Sequence, residues 1–258
     1  MSDPVRLEHD GPLAVVTFDN PPLNLFDEPV FRAWEEAVDA LAGEPPRAVL
    51  IRAAGKVVSG GVDVALFDGL SAEEGAALWR RGIAVMQRLE DLPVPTIFAA
   101  HGLCLTAAFE VALACDILLA AERATFGLVE IVVGLTPSLG GPQRLATRAG
   151  PARAKELIYS GEQYSASTLE RWNVVNRVLP DEGFDGAARA FALRLANGPT
   201  RAHAATKAIV RAQTEGGARS ADAIVPEISG ALFETEDLKG AVRTFLTDGP
   251  GKATFVGR

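Results

Sequence analysis

Apolar runs and helical stripes alternate along the first part of the chain. LAVVTF at 13–18 and AVLIR at 48–52 are short, rich in β-formers or aliphatic residues, and bounded by turn residues, which predicts two strands. A helical stripe follows Pro29 between them and consists of Phe31, Trp34, Val38 and Leu41. The order strand, helix, strand indicates a layered α/β architecture.

The most apolar segment, residues 94–116, carries a carboxylate inside its predicted helix. VPTIFAA predicts a buried strand, and small residues then open a helix in which Glu110 has only apolar neighbours. Because burial disfavours the ionised form, we expect Glu110 to lie in the interior with a raised pKa. The unpaired N–H groups at the helix start also favour a developing negative charge. A glutamate in the first turn is equally typical of a solvated helix end, so this segment alone leaves a structural role open.

A second acid, Glu130, lies in the segment GLVEIVVGLTPSLGG. Val129 and Ile131 flank it, and the glycines predict a loop that offers no obvious polar partner. An unpaired charge in such surroundings is costly unless its pKa is shifted, which makes Glu130 a second candidate for proton transfer.

The segment GKVVSGGVDV after the second strand contains paired glycines. It is not a phosphate-binding loop, because Gly61 and Val62 stand where that motif requires Lys and Ser or Thr. The glycines predict a sharp turn that leaves the N–H groups of Val62 and Asp63 free to face a ligand. A plain tight turn would have the same sequence.

Helices dominate the rest of the chain. Helices are predicted at 72–92 and at 151–160. A short third helix is predicted to start at a capping box formed by Ser167 and Glu170 and to end at Asn173. VVNRVL at 174–179 predicts a strand, and almost everything from residue 184 onward is predicted to be helical.

Composition and charge narrow the function. The 258 residues are 48% hydrophobic and carry a net charge of −8, which argues against a nucleic-acid surface. The longest apolar stretch, 107–120, is too short to cross a membrane, and the start has no secretory signal. Cys104 and Cys115 indicate reduced, buried thiols, and the three histidines are too scattered for a metal site. We therefore expect a cytoplasmic protein without a metal.

Five segments, in order, resemble one family. They are DNPPLNLFDEPV, GKVVSGGVDV, AAHGLCLTAAFEVALACDILLA, ATFGLVEIVVGLTPSLGGPQRL and FETEDLKGAVRTFLTDGPGKATFVGR. Together they make the chain similar to the enoyl-CoA hydratase/isomerase, or crotonase, superfamily over nearly its full length. The resemblance implies an α/β, crotonase-like (ClpP/crotonase) spiral of repeated ββα units at 1–195. It also implies a C-terminal helical region at 196–258 that assembles a homotrimer or a dimer of trimers.

The resemblance also assigns roles to residues. It makes Glu110 and Glu130 the catalytic acids of a hydratase, and it makes the backbone N–H groups of Val62 and Ala107 the oxyanion hole for an acyl-CoA thioester. It implies no separate cofactor, because coenzyme A enters with the substrate. The implied contacts to substrate and coenzyme A are Lys56, Gly61, Val62, Asp63, Val64, Ala65, Ala107 and Gly134.

Departures from the family pattern keep other functions open. Thr106, Ala107 and Ala108 replace three glycines, Ala65 replaces a lysine, Val129 a proline and Ser138 a glycine. An enoyl-CoA isomerase, a hydrolase or decarboxylase on the same scaffold, and a CoA-ester-binding protein with little activity remain alternatives. A retaining glycosidase also uses two carboxylates, but it does not require this glycine turn and helix start.

Overall fold

The computed structural model describes residues 3–258. These residues form two sheets and ten α-helices. The strands are β1 (Val5–Asp10), β2 (Leu13–Phe18), β3 (Ala48–Ala53), β4 (Thr96–Ala100), β5 (Cys104–Leu105), β6 (Ile117–Ala121), β7 (Thr125–Gly127), β8 (Tyr164–Ser165) and β9 (Arg177–Leu179). The helices are α1 (Glu28–Gly43), α2 (Ala72–Asp91), α3 (Thr106–Ala114), α4 (Gly141–Ala149), α5 (Pro151–Ser160), α6 (Ala166–Arg171), α7 (Phe184–Ala196), α8 (Thr200–Gly216), α9 (Ala218–Ala231) and α10 (Glu236–Asp248).

The larger sheet has six strands in the order β1-β2-β3-β4-β6-β9. Strands β1 and β2 are antiparallel, and every later neighbouring pair is parallel. The smaller sheet, β5-β7-β8, pairs β5 parallel to β7 and β7 antiparallel to β8. Alternating strands and helices with a mainly parallel sheet confirm the predicted α/β class.

The large sheet is buried on both faces, as parallel sheets usually are. In β2, Val16 enters one apolar layer with residues of α1, α2 and α3, whereas Val15 enters the opposite layer. Helix α7 covers that opposite layer with side chains that recur every fourth residue: Phe184, Ala188, Ala192 and Ala196. The alternation along the strands therefore fixes which face each helix covers.

Several predicted elements agree closely with the structure. The helix after Pro29 starts one residue earlier, where the Asp27 side chain accepts a hydrogen bond from the Val30 N–H at 2.9 Å. The helix at 72–92 is α2, and Ser71 and Glu74 form a capping box at its start. Cys104 and Cys115 are buried free thiols, as predicted.

The predicted capping box at Ser167 is wrong. Ser165 caps α6 instead, because its hydroxyl accepts the Thr168 N–H at 3.2 Å and Ser167 lies inside the helix. Asn173, just beyond α6, has the predicted left-handed conformation, with φ of 62°. The strand predicted at 174–179 is confined to Arg177–Leu179.

The three short strands of the smaller sheet, strand β1 and helix α4 were not predicted. Strand β1 carries several polar side chains at the edge of the sheet, so its pattern lacks a continuous apolar face. Helix α4 starts with Gly-Pro and buries only Gly141 and Leu145, which is too few for a recognisable stripe.

The C-terminal helices α8, α9 and α10 contribute few buried residues. Within residues 200–248 these are Ala205, Ala221 and Asp237. No helix among residues 3–258 is long and apolar enough to cross a membrane.

Candidate active site

Glu110 lies inside the protein on a helix that is buried along its whole length. All nine residues of α3 are buried, and Glu110 is only 2% exposed. One carboxylate oxygen, Oε1, accepts the N–H of Leu139 at 2.9 Å and the N–H of Gly141 at 2.7 Å. A Cβ atom on Gly141 would lie 2.9 Å from that oxygen, so the close approach requires glycine. The start of α4 therefore holds the carboxyl group of Glu110 in place.

Burial raises the pKa of Glu110 from its ordinary value of 4.5 to about 8. The negative charge of Glu130 raises this pKa further, and the two backbone N–H donors and Arg144 offset the rise only in part. The prediction of an interior glutamate with a raised pKa is thus confirmed.

Glu130 is the first residue of a short 3-10 helix, Glu130–Val133, and not part of an irregular loop as predicted. This turn ends at Gly134, whose φ of 76° favours glycine. Burial raises the pKa of Glu130 to about 7, and a hydrogen bond from its own backbone N–H lowers it only in part. Its Oε2 atom is buried and has no hydrogen-bond partner among residues 3–258.

The two acids form an electrostatically coupled pair. The charge of Glu130 raises the pKa of Glu110, so ionisation of one acid disfavours ionisation of the other. Both pKa values fall near neutrality, which suits a pair that holds one proton and can both accept and donate one.

The turn at Gly61 is sharp, as predicted, but the N–H groups that follow it are not free. Gly61 has φ of 110°. The Val62 N–H donates to the hydroxyl oxygen of Thr106 at 3.0 Å, and the Asp63 N–H donates to the carbonyl oxygen of Phe26 at 3.1 Å. Each of the two amides therefore has a hydrogen-bond partner within the chain, and a role for them in binding a ligand stays a prediction.

The other expected donor, Ala107, lies at the start of α3. The residue before the helix, Leu105, gives no side-chain cap, and the Ala107 N–H has no acceptor among the described residues. Ala107 and Glu110 are three residues apart and therefore project from the same side of the helix. The side chains of Ala107 and Glu110 thus lie on one face of α3, and the free Ala107 N–H lies at the start of the same helix.

The remaining expected contact residues differ in their exposure to solvent. Gly61 is buried, Val62 and Asp63 are half-buried, and Lys56, Val64, Ala65 and Gly134 are exposed. The Asp63 carboxylate accepts the Ala65 N–H at 3.0 Å and so starts the short helix Val64–Phe67.

The described residues offer no metal centre. Between residues 3 and 258, no three His, Cys, Asp or Glu side chains are grouped so that they could hold a metal ion.

The family model for enoyl-CoA hydratase/isomerase matches residues 8–252. The chain belongs to the enoyl-CoA hydratase/isomerase family. It is 31% identical over 245 residues to a probable enoyl-CoA hydratase of Bacillus subtilis, covering 94% of this chain and 95% of that protein. It is 35% identical over 221 residues to carnitinyl-CoA dehydratase of Salmonella enteritidis, covering 83% of each. The crystal structure of an enoyl-CoA hydratase subunit from Geobacillus kaustophilus superposes with a TM-score of 0.92 at 28% identity and covers 100% of both chains.

Membership of the enoyl-CoA hydratase/isomerase family confirms the crotonase-like fold expected from the five sequence segments. The contact between Thr106 and Val62 was not expected. The sequence shows a threonine where the family pattern has a glycine, which marks the position as unusual. It does not show the partner of that side chain, which lies 44 residues earlier in the chain.

Proposed function

We propose that this protein is a 2-enoyl-CoA hydratase, which adds water reversibly across the 2,3 double bond of an acyl-CoA thioester. The coupled pair of acids, buried Glu110 and half-buried Glu130, is the observation that carries the proposal. The names of two relatives support it, because a hydratase adds water and a dehydratase removes it.

In this mechanism the thioester oxygen lies beside the start of α3, where the Ala107 N–H is available as a donor. The second donor that the family resemblance implies is the Val62 N–H, which in this structure donates to Thr106. Donors placed at the developing negative charge are typically worth roughly 3–4 kcal/mol each in the transition state. Polarising the carbonyl group makes the β carbon electrophilic and stabilises the enolate that forms at the α carbon.

The pair of acids then completes the addition. The ionised carboxylate takes a proton from water as its oxygen bonds to the β carbon, and the protonated carboxyl group gives its proton to the α carbon. The pair holds one proton before and after the reaction, so only a proton exchange between the two sites, or with solvent, is needed to restore the starting state.

Purified protein with crotonyl-CoA tests the proposal through loss of the enoyl-thioester absorbance. We expect Glu110→Gln and Glu130→Gln each to lower kcat by about 10²- to 10⁴-fold, the usual contribution of a positioned acid or base. Glu122→Gln is the matched control, because Glu122 is exposed. Turnover that neither Glu110→Gln nor Glu130→Gln reduces would show that the protein is not a hydratase of this type.

The same variants separate the alternatives. An isomerase that shifts a double bond needs one base, so turnover of a 3-enoyl-CoA that survives Glu110→Gln but not Glu130→Gln would assign isomerase activity. A CoA-ester-binding protein is the second candidate, and the engaged Val62 N–H favours it. Binding of acyl-CoA without turnover of either substrate would assign that role.

We also propose that the region 196–258 forms a separate C-terminal part that joins three copies, or two sets of three. Its helices expose large apolar side chains that a partner surface would cover: Phe233, Val242, Phe245 and Leu246. Exposed apolar surface of this kind is typical of interfaces. The two buried free thiols suit the reducing cytoplasm as the location.

A further inference from the structure

Thr106 has a backbone conformation that a threonine rarely adopts. Its φ is 46°, in the left-handed region, where a β-branched residue is a genuine outlier. Such a conformation costs on the order of 1–3 kcal/mol and persists only where the surroundings impose it. A glycine would adopt the same φ without this cost, so the threonine side chain calls for an explanation at this position.

The surroundings place the hydroxyl group of Thr106 against one peptide unit. Its Oγ1 accepts the N–H of Val62 at 3.0 Å. A Cβ atom on Gly61 would lie 2.6 Å from the same oxygen, so the hydroxyl group fills the space that a side chain on Gly61 would occupy. The Val62 N–H can therefore reach a substrate oxygen only if Thr106 moves away.

The hydroxyl proton of Thr106 has no acceptor. A threonine hydroxyl group can accept two hydrogen bonds and donate one. Within residues 3–258, the Thr106 hydroxyl group makes only the bond from Val62, although the residue is just 7% exposed. A nearly buried hydroxyl group with an unused donor, one residue before the free Ala107 N–H, is placed to bind an oxygen atom at the helix start.

We propose that the Thr106 hydroxyl group, rather than the Val62 N–H, is the second donor to the thioester oxygen. The inference rests on the proposed function, because it requires an acyl-CoA thioester in this site. The Val62 N–H donates to Thr106, and Thr106 donates to the substrate oxygen, beside the direct donor Ala107. The first hydrogen bond polarises the hydroxyl group and strengthens the second. No covalent bond is made or broken in this arrangement.

The test measures carbonyl polarisation and turnover separately. Butyryl-CoA, which has no double bond to hydrate, is bound to each variant, and the stretching frequency of its thioester carbonyl group is read by infrared difference spectroscopy. Turnover of crotonyl-CoA gives kcat/KM. The variants are Thr106→Ser, Thr106→Val and Thr106→Gly. Thr17→Val is the matched control, because Thr17 is 2% exposed and its hydroxyl group accepts one hydrogen bond from Arg52 at 3.2 Å, outside the site.

We expect Thr106→Ser and Thr17→Val to keep the lowered carbonyl frequency and the rate of the wild type. Thr106→Val should lose most of the frequency shift and about 10²- to 10³-fold in kcat/KM, the usual cost of one oxyanion donor. Thr106→Gly suits the left-handed backbone and so should fold. It should lose at least about tenfold, because the substitution removes the hydroxyl group that donates to the substrate oxygen.

Three results would overturn the inference. They are an unchanged frequency shift in Thr106→Val, a gain of activity in Thr106→Gly, and no shift for butyryl-CoA on the wild type. A gain in Thr106→Gly would show that the hydroxyl group obstructs a backbone donor. A shift that depends on the hydroxyl group in a protein that does not turn over crotonyl-CoA would support the donor role while refuting the hydratase proposal.

Discussion

Replacing Glu110 by Gln is expected to stabilise the protein at high pH while it removes activity. Glutamine has the same shape, and its carbonyl oxygen can still accept the N–H groups of Leu139 and Gly141 that now bind Oε1. The substitution therefore removes the charge and leaves the main contacts.

The direction in which pH changes stability follows from whether the folded or the unfolded state binds the Glu110 proton more tightly. The pKa of Glu110 is 4.5 ordinarily and about 8 in the folded protein, so between these pH values the folded state binds more protons than the unfolded state. The free energy of unfolding therefore falls as pH rises from about 4.5 to about 8, and this contribution is constant outside that window. Because glutamine does not titrate, the Glu110→Gln variant does not lose this part of the free energy of unfolding as pH rises.

The magnitude follows from the same pKa values. The difference between 4.5 and about 8 is about 3.5. At about 1.4 kcal/mol for each pKa unit, ionised Glu110 costs the fold at most roughly 5 kcal/mol. We expect Glu110→Gln to match the wild type within about 1 kcal/mol at pH 5 and to exceed it by roughly 2–5 kcal/mol at pH 9. For a chain of this size, that corresponds to a Tm difference of roughly 5–15 °C.

Urea unfolding and thermal unfolding at pH 5 and pH 9 measure the effect, with Glu122→Gln as the exposed control. The control should change stability by less than about 0.5 kcal/mol at either pH, as is usual for surface substitutions. If the difference between wild type and Glu110→Gln were the same at both pH values, ionised Glu110 would not be destabilising, and the argument for a shared proton with Glu130 would lose its basis.

Two further predictions concern the turn at Gly61 and the start of α6. Gly61→Ala should lower stability by about 1–3 kcal/mol and reduce activity, because the added Cβ atom meets the Thr106 hydroxyl group at 2.6 Å and φ is positive. Gly55→Ala, also at positive φ but with open space around it, should lower stability without reducing kcat/KM, and an equal loss of activity in both would contradict the contact. Ser165→Ala should lower the free energy of unfolding by about 1 kcal/mol, because α6 loses its cap, whereas Ser167→Ala should have little effect. Chemical denaturation of both variants measures the difference.

Buried Glu110 illustrates a conflict between stability and chemistry. An apolar residue in place of Glu110 would suit the core around α3, in which its neighbours are fully buried. The glutamate carries a cost that rises with pH, and the chain retains it with two backbone hydrogen bonds directed at one oxygen. Such costs are typical of functional sites.

The burial of single elements could be predicted from the sequence. The helix around Glu110 has apolar residues on every side, so it had to lie in the interior, and its acid had to be buried with it. The β-rich runs at 13–18 and 48–52 likewise predicted strands of a layered fold. Strand β1 was not predicted, because the polar residues of this edge strand give no apolar pattern.

Only the tertiary structure decided which groups meet. The partners of Glu110 are the N–H groups of Leu139 and Gly141, 29 and 31 residues away, and the partner of Thr106 is Val62, 44 residues away. Periodicity records which side of an element faces the core, but the alignment of one element against another depends on side chains far apart in the chain. The sequence by itself therefore determined that two acids lie in apolar surroundings. Packing determined that they share a site, and that a threonine hydroxyl group lies over one of its amides.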